Sequence, residues 1–274
     1  ALTQTTLVAD AIRRVAPGMI VEVVEVRTSG DMKQGTPHAS RGDKKDWVLQ
    51  LELALLNNEI DVAVHSGKDV PANIEPGTSI TSVLEREEPC DVFVGKRLAS
   101  GQRLKWCYVP LGASVGTASL RRQASLRRLR SDISLVEHRG NVPTRIEKLD
   151  SSQDLSGIVL AKAGIMRLGM GDLDVEEFSV VVVMPAVNQG ILCCQVRDDD
   201  EEVRALLSLI SHPPTAAAFA EERACVNVLG ADCKSSVSVF ATSDGATVSL
   251  SARILLTDGS ECVELLNRTA DSVE

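Results

Sequence analysis

The sequence predicts an α/β protein: two open-sheet units around a cleft, followed by a small α+β unit. Runs rich in β-branched residues alternate with helix-period segments for roughly the first 200 residues, the signature of open α/β sheets with ligands at the strand C-terminal ends. From Val237 to Leu256 the pattern turns β-rich, with Ser243-Asp244-Gly245 as a hairpin signal. A length of 274 residues, 44% apolar and 24% charged, suits two or three soluble globular domains.

Leu7, Val8, Ala11, Ile12 and Val15 recur at helical spacing, and Pro17-Gly18 ends that helix. Ile20 to Val26 is β-branched and predicts a strand. Thr28 to Asp46 is a polar loop, and Trp47, Val48, Leu51, Ala54 and Leu55 mark a second helix. A short buried strand over 60–64 ends at His65-Ser66-Gly67-Lys68-Asp69, and strands follow near 80–84 and 92–94. Then come a strand at 113–115, a helix over 119–129, a strand at 133–137, a helix at 144–149, a strand at 158–160 and a helix to Leu168. Ser179 to Val183 predicts a further strand; Glu201–Ile210 and Thr215–Val228 predict helices.

A net charge of −9 makes the chain a poor general binder of nucleic acid or anionic membrane. No run approaches the ~20 apolar residues of a membrane span, and no signal or transit peptide is read in Ala1-Leu2-Thr3-Gln4. Seven irregularly spaced cysteines without a C-x-x-C pair argue against a zinc site and for free thiols in a reducing compartment. No metal is expected.

Three features carry chemistry. Asp69 lies just past a buried strand beside Lys68, where α/β sheets place functional groups and where a carboxylate stabilises a cation or moves protons. An ordinary Gly-Lys-Asp turn is the bland alternative, favoured on spacing alone. Gly116-Thr117-Ala118-Ser119-Leu120-Arg121-Arg122 follows a strand and opens a helix, and Arg139-Gly140-Asn141 follows the next strand. Helix N-terminal amides, hydroxyls and guanidinium groups there suit carboxylate or phosphate, while a solvated basic face accounts for some of Arg127, Arg128 and Arg130. Cys233, in Gly-Ala-Asp-Cys between a helix and a strand, is a loop thiol: a nucleophile, an attachment point or an inert cysteine. Cys193, Cys194 and Cys225 lie on apolar segments and read as inert; His65 reads as structural. The residues alone give a cleft enzyme or binding protein for a multiply carboxylated or phosphorylated ligand.

The ordered blocks DVAVHSGKDVP (61–71), LEREEPCDVFV (84–94), VGTASLRRQ (115–123), RGNVPTRIEKLD (139–150), AGIMRLG (163–169), PAVNQG (185–190) and EERACVNVLGADC (221–233) resemble the porphobilinogen deaminase (hydroxymethylbilane synthase) family over essentially the whole chain. The resemblance implies two periplasmic-binding-protein-like α/β domains around a cleft, 1–86 with 189–206 and 87–188, plus a small α+β domain, 207–274. It implies a transferase of tetrapyrrole biosynthesis that condenses four porphobilinogen units head to tail, each losing ammonia, into hydroxymethylbilane. A dipyrromethane cofactor would be joined by a thioether to Cys233. Asp69 would be catalytic, stabilising the cationic pyrrole left when ammonia departs. Lys68, Ser66, Thr117, Ser119, Arg121, Arg122, Arg139 and Gly140 would hold the cofactor; Arg145, Arg167, Gln189, Lys44 and Trp47 would meet substrate. Porphobilinogen and the growing pyrrole chain are the expected partners of a cytoplasmic monomer, or of a plastid one if a transit peptide has been removed.

Departures from the family pattern are visible. The resemblance begins after the family's first strand, which carries an Arg-x-Ser segment. Ser29 and Ser40 replace basic residues, Gly67 a bulkier apolar residue, Asn188 a Gly, Gln195 a Glu, and Ala231-Asp232 a Gly-Gly. A catalytically impaired homologue, or a two-lobed anion-binding module without chemistry, are the competing readings.

Overall fold

The computed structural model describes residues 2–26, 44–230 and 236–271, with only the backbone described for 44–47 and 271. First in chain order are α1 (Leu2–Val15), α2 (Lys44–Leu56), β1 (Ala63–Ser66) and β2 (Thr78–Val83). There follow β3 (Asp91–Gly95), β4 (Ser114–Gly116), α3 (Leu120–Leu129), β5 (Ser134–Val136), α4 (Val142–Ser151), β6 (Leu155–Ala161), α5 (Lys162–Arg167) and β7 (Glu176–Glu177). The remainder is β8 (Leu192–Arg197), α6 (Glu201–Ser208), α7 (Pro213–Leu229), β9 (Val237–Ser243), β10 (Thr247–Leu255) and β11 (Cys262–Asp271).

These strands form three sheets, ordered β1-β8-β2, β5-β4-β6-β3-β7 and β11-β10-β9. In the second sheet β4 runs parallel to β5 and β6, while β3 is antiparallel to β6 and β7. The mixed α/β class, with a small antiparallel sheet behind it, is the one expected from the alternation of patterns. The period of two explains how each α/β sheet is covered on both faces. Val92, Val94, Ile158 and Leu160 face a core shared with Ile146, Leu149 and Ile165, while Phe93 and Val159 face another with Val115, Leu126 and Phe178. Along β8, Leu192, Cys194 and Val196 meet Val8, Ala11 and Ile12 of α1, and Cys193 faces Val70 and Phe219. The same period puts Gln195 on the Cys193 face, where its Nε2 donates to Glu52 Oε1 at 2.9 Å and Thr78 Oγ1 at 2.7 Å.

The chain crosses between the first two sheets twice, after β2 and before β8. The crossings are tied by Glu87 N donating to Gly190 O at 3.0 Å. Gly190 has φ +88°, and a Cβ there would strike the Glu87 carbonyl oxygen, so only glycine permits the approach. The third unit packs α7 on β9 and β10 through Ala218, Ala241 and Val248.

Two expected strands are corrected. Residues 20–26 form no ladder; Ile20 is 95% exposed, and Val21 offers its carbonyl to Arg13 Nη2 at 2.7 Å. β-propensity makes a strand only where a neighbouring backbone pairs with it. Residues 179–183 close a turn, because Val182 N and Val183 N both donate to Ser179 O at 2.9 Å. Conversely, β8 and β11 were not expected. Among the described residues no helix is long and apolar enough to cross a membrane.

Candidate functional site

β1 delivers its chain end into a single 3-10 turn, Gly67–Asp69, pinned where Gly67 N donates to Ile191 O at 2.9 Å. Lys68 and Asp69 are half-buried on this turn. Across from it, three features of the second sheet gather cations. α3 starts at the end of β4 with Ser119 as N-cap, its hydroxyl oxygen accepting from Arg122 N at 3.4 Å. α4 starts after β5 with Asn141 as N-cap, its oxygen accepting from Thr144 N at 2.9 Å. Gly140, at φ +130°, makes the turn into α4 and offers its carbonyl to Arg145 Nε at 2.6 Å.

Electrostatics join the two sides. Burial pushes the Arg145 guanidinium down, the neighbouring Arg122 and Arg139 push it the same way, and the Asp69 carboxylate opposes them. The turn after β1 and the helix starts of the second sheet therefore share one field. Arg145 Nη1 and Nη2 make no hydrogen bond among the described residues, and Arg121 Nε and Arg122 Nε are buried without a partner there. Buried donors of this kind call for acceptors, and the set suits an anion with several carboxylates.

Several of the expected ligand residues also make bonds within the protein. The outer nitrogens of Arg121 and Arg122 converge on one protein carboxylate, Asp91, at 2.6 Å each, and Arg121 Nη1 also donates to Met184 O at 2.6 Å. Asp91 is fully buried; burial works against its charge, yet the two guanidinium groups hold its carboxyl well below the usual range. Gln189 Nε2 donates to Asp91 Oδ1 at 2.8 Å and Pro89 O at 2.7 Å. Arg167 is turned to the crossing, donating to Gly190 O at 2.6 Å.

Ser66 donates to Gln4 Oε1 of α1 at 3.0 Å, and the buried Thr117 hydroxyl accepts from Ser119 N at 3.3 Å. Arg139 pairs with Glu137 at the surface. Cys233 lies outside the described residues, as do the side chains of Lys44 and Trp47, whose backbone belongs to α2. Burial pushes the Cys193 thiol up to about 12 and raises Cys194 as well, so both are inert, as read from their apolar segments.

Residues that sequence reasoning missed lock the site's frame. Besides Asp91 they are Arg86 and Glu222. Arg86 Nη1 meets the fully buried Glu222 at 2.7 Å, and Glu222 also accepts from Asn188 N at 2.5 Å and Ala241 N at 2.8 Å. Burial raises the Glu222 carboxyl against the pull of Arg86 and these N–H groups. A charged residue at the head of the apolar run Asp91–Val94 was the available signal for Asp91.

Two departures from the family pattern prove to be neighbours. A Cβ on Gly67 would lie 2.8 Å from Asn188 Cβ, and Asn188 holds φ +56°, a left-handed conformation asparagine tolerates. A small residue at 67 thus goes with a larger one at 188. Gly67→Ala is expected to cost about 1–3 kcal/mol by overpacking, and Asn188→Gly in the same chain to recover most of that. A double-mutant cycle on urea unfolding measures the coupling, and additive costs would contradict it.

Residues 1–205 match the family model described as porphobilinogen deaminase, dipyromethane cofactor binding domain. A porphobilinogen deaminase of Syntrophomonas wolfei is 39% identical over 261 residues, 95% of this chain and 83% of the relative. One of Geobacter metallireducens is 36% identical over 264 residues, 96% of this chain and 81% of the relative. Among solved structures, an ancestral cationic amino acid solute binding protein is similar over 83% of this chain and 80% of its own, at 14% identity and a TM-score of 0.43. The donors around Asp69 fit the family's cofactor, a dipyrromethane bearing acetate and propionate groups. By its sequence from end to end, this chain belongs to the porphobilinogen deaminase family.

Proposed function

We propose that the chain is a transferase of tetrapyrrole biosynthesis, condensing four porphobilinogen units head to tail into hydroxymethylbilane with release of ammonia. The observation that carries this reading is the placement of Asp69 on the turn that ends β1 and of Arg121, Arg122 and Arg145 in the first turns of α3 and α4, in a chain 36–39% identical to porphobilinogen deaminases. Such a site offers one carboxylate amid cations: charge stabilisation for a cationic pyrrole, and anchorage for its acid side chains.

When bound, the dipyrromethane supplies the pyrrole terminus on which the chain grows. Asp69 would stabilise the positive charge that develops on the pyrrole as ammonia leaves porphobilinogen. Arg145, Lys68, Arg121 and Arg122 hold carboxylates, and Asp91 keeps the last two arginines oriented. Ser66, Thr117, Ser119, Arg139 and the Gly140 turn complete the cofactor side; Arg167, Gln189, Lys44 and Trp47 are assigned to substrate by the family resemblance. Cys233 is the attachment point, three residues beyond the end of α7 at Gly230. Residues 1–86 with 189–206, 87–188 and 207–274 act as three domains. We place the protein in the cytoplasm as a monomer, in keeping with the family resemblance.

Consumption of porphobilinogen with ammonia release tests the reading; a correctly folded protein that carries cofactor yet releases no ammonia would contradict it. Cys233→Ser is expected to leave the polypeptide at its unmodified mass in denaturing mass spectrometry. A stably modified serine variant would place the attachment elsewhere.

A further inference from the structure

We infer that Arg223 is a positioning residue for this reaction, holding the turn that presents Asp69 in register with the helix leading to the cofactor cysteine. The inference rests on the proposed condensation and on Cys233 as the tether.

Arg223 Nη2 donates to Ala72 O at 2.9 Å and Pro71 O at 3.2 Å, the carbonyls two and three residues past Asp69. Its guanidinium lies 5.6 Å from the centroid of the Phe219 ring, one turn earlier on α7. Phe219 is itself buried against Val70, Ile191 and Cys193. One face of α7 therefore grips the three residues that follow Asp69: Val70 by packing, Pro71 and Ala72 by hydrogen bonds. The same helix ends at Gly230, in the left-handed conformation, shortly before Cys233. The loop that follows Asp69 is thus held by the helix that precedes Cys233 in the sequence. The grip on this loop is separate from the Arg86–Glu222 pair, which holds α7 to the crossing between the sheets.

The chemistry makes the link matter. Every addition must bring the terminal pyrrole of a tethered chain to the same carboxylate. A misplacement of about 1 Å by a residue away from the reacting atoms costs up to roughly 100-fold in rate. Both bonds come from one nitrogen, Nη2, whose position is set by the planar guanidinium stacked near Phe219, whereas a lysine ammonium rotates freely at the end of its stem.

Wild type, Arg223→Met and Arg223→Lys are compared as full-length holoenzymes. Cofactor loading is read by intact mass, folding by circular dichroism and thermal midpoint, and kcat and KM by porphobilinogen consumption. Arg223→Met keeps the apolar stem over Phe219. It is expected to load cofactor like wild type and to lose about tenfold in kcat per loaded molecule, with KM changed less than about twofold. Arg223→Lys should fall between the two. If Arg223→Met does not fold, Arg223→Lys decides the matter alone. Wild-type kcat per loaded molecule in the folded variant, or a loss explained entirely by lower cofactor loading, would overturn the positioning role. A loaded wild type that does not consume porphobilinogen would instead overturn the proposed reaction, and this role with it.

Discussion

Asp69→Asn is expected to leave the protein folded and its cofactor attached while lowering turnover of porphobilinogen by about 100- to 1,000-fold, the effect of removing a preorganised charge from a transition state. The substitution keeps shape and removes charge. Asp69 is fixed by the turn Gly67–Asp69, whose backbone bonds to Ile191 O and within itself do not involve the carboxylate. Its charge is felt by Arg145, which itself lies beside Arg122 and Arg139, and a carboxylate at that position would oppose the positive charge left on the pyrrole when ammonia departs. Single-turnover measurements on loaded enzyme separate this from cofactor assembly. Near-normal rates in the variant would remove Asp69 from the catalytic role.

Asp91→Asn is expected to destabilise the fold by about 3–5 kcal/mol, the cost of removing one partner from a buried ionic cluster. Asp91 has no exposed surface and accepts from Arg121 and Arg122 at 2.6 Å and from Gln189 at 2.8 Å. Asparagine would leave two buried guanidinium groups without a counter-charge and point an amide N–H₂ at one of them. The sign of the pH dependence follows from the depressed carboxyl. Its contribution is fully present above the unfolded value of about 3.9 and is lost as pH falls through the lower folded value. Wild type should therefore lose urea resistance below about pH 4, and the difference between wild type and Asp91→Asn should shrink there. A variant as stable as wild type at pH 7 would contradict the assigned cluster.

Much of this architecture was legible because local pattern and tertiary role agree. The helices Leu120–Leu129 and Pro213–Leu229 and the strands Asp91–Gly95 and Leu155–Ala161 each sit within a few residues of their expected positions. The misreadings have physical causes. Leu192–Arg197 is buried on both faces, so it shows no alternation for a sequence reading to find. Ser179–Val183 has strand propensity but is claimed by local bonds to Ser179 O, and its Val181 and Val182 carbonyls are taken by Arg253 at 2.8 and 3.1 Å.

At the site, Asp69 and Arg145 were found from strand-end position and from the family blocks, and the structure sets them in one field. Arg121 and Arg122 were expected to hold the cofactor's carboxylates, and their outer nitrogens also meet Asp91. A linear reading sees arginines at a helix start, but not the acid thirty residues earlier that engages their outer nitrogens. Gly67 and Asn188 were each visible as departures; only their contact shows that they form one exchange.

The most direct test of the central claim is the intact mass of the purified protein under denaturing conditions, before and after a brief exposure to porphobilinogen. The account predicts an excess of two linked pyrrole units before exposure, absent in Cys233→Ser, and further one-pyrrole increments after it, suppressed in Asp69→Asn. A mass that remains that of the bare polypeptide, even after preformed hydroxymethylbilane is supplied, would contradict it.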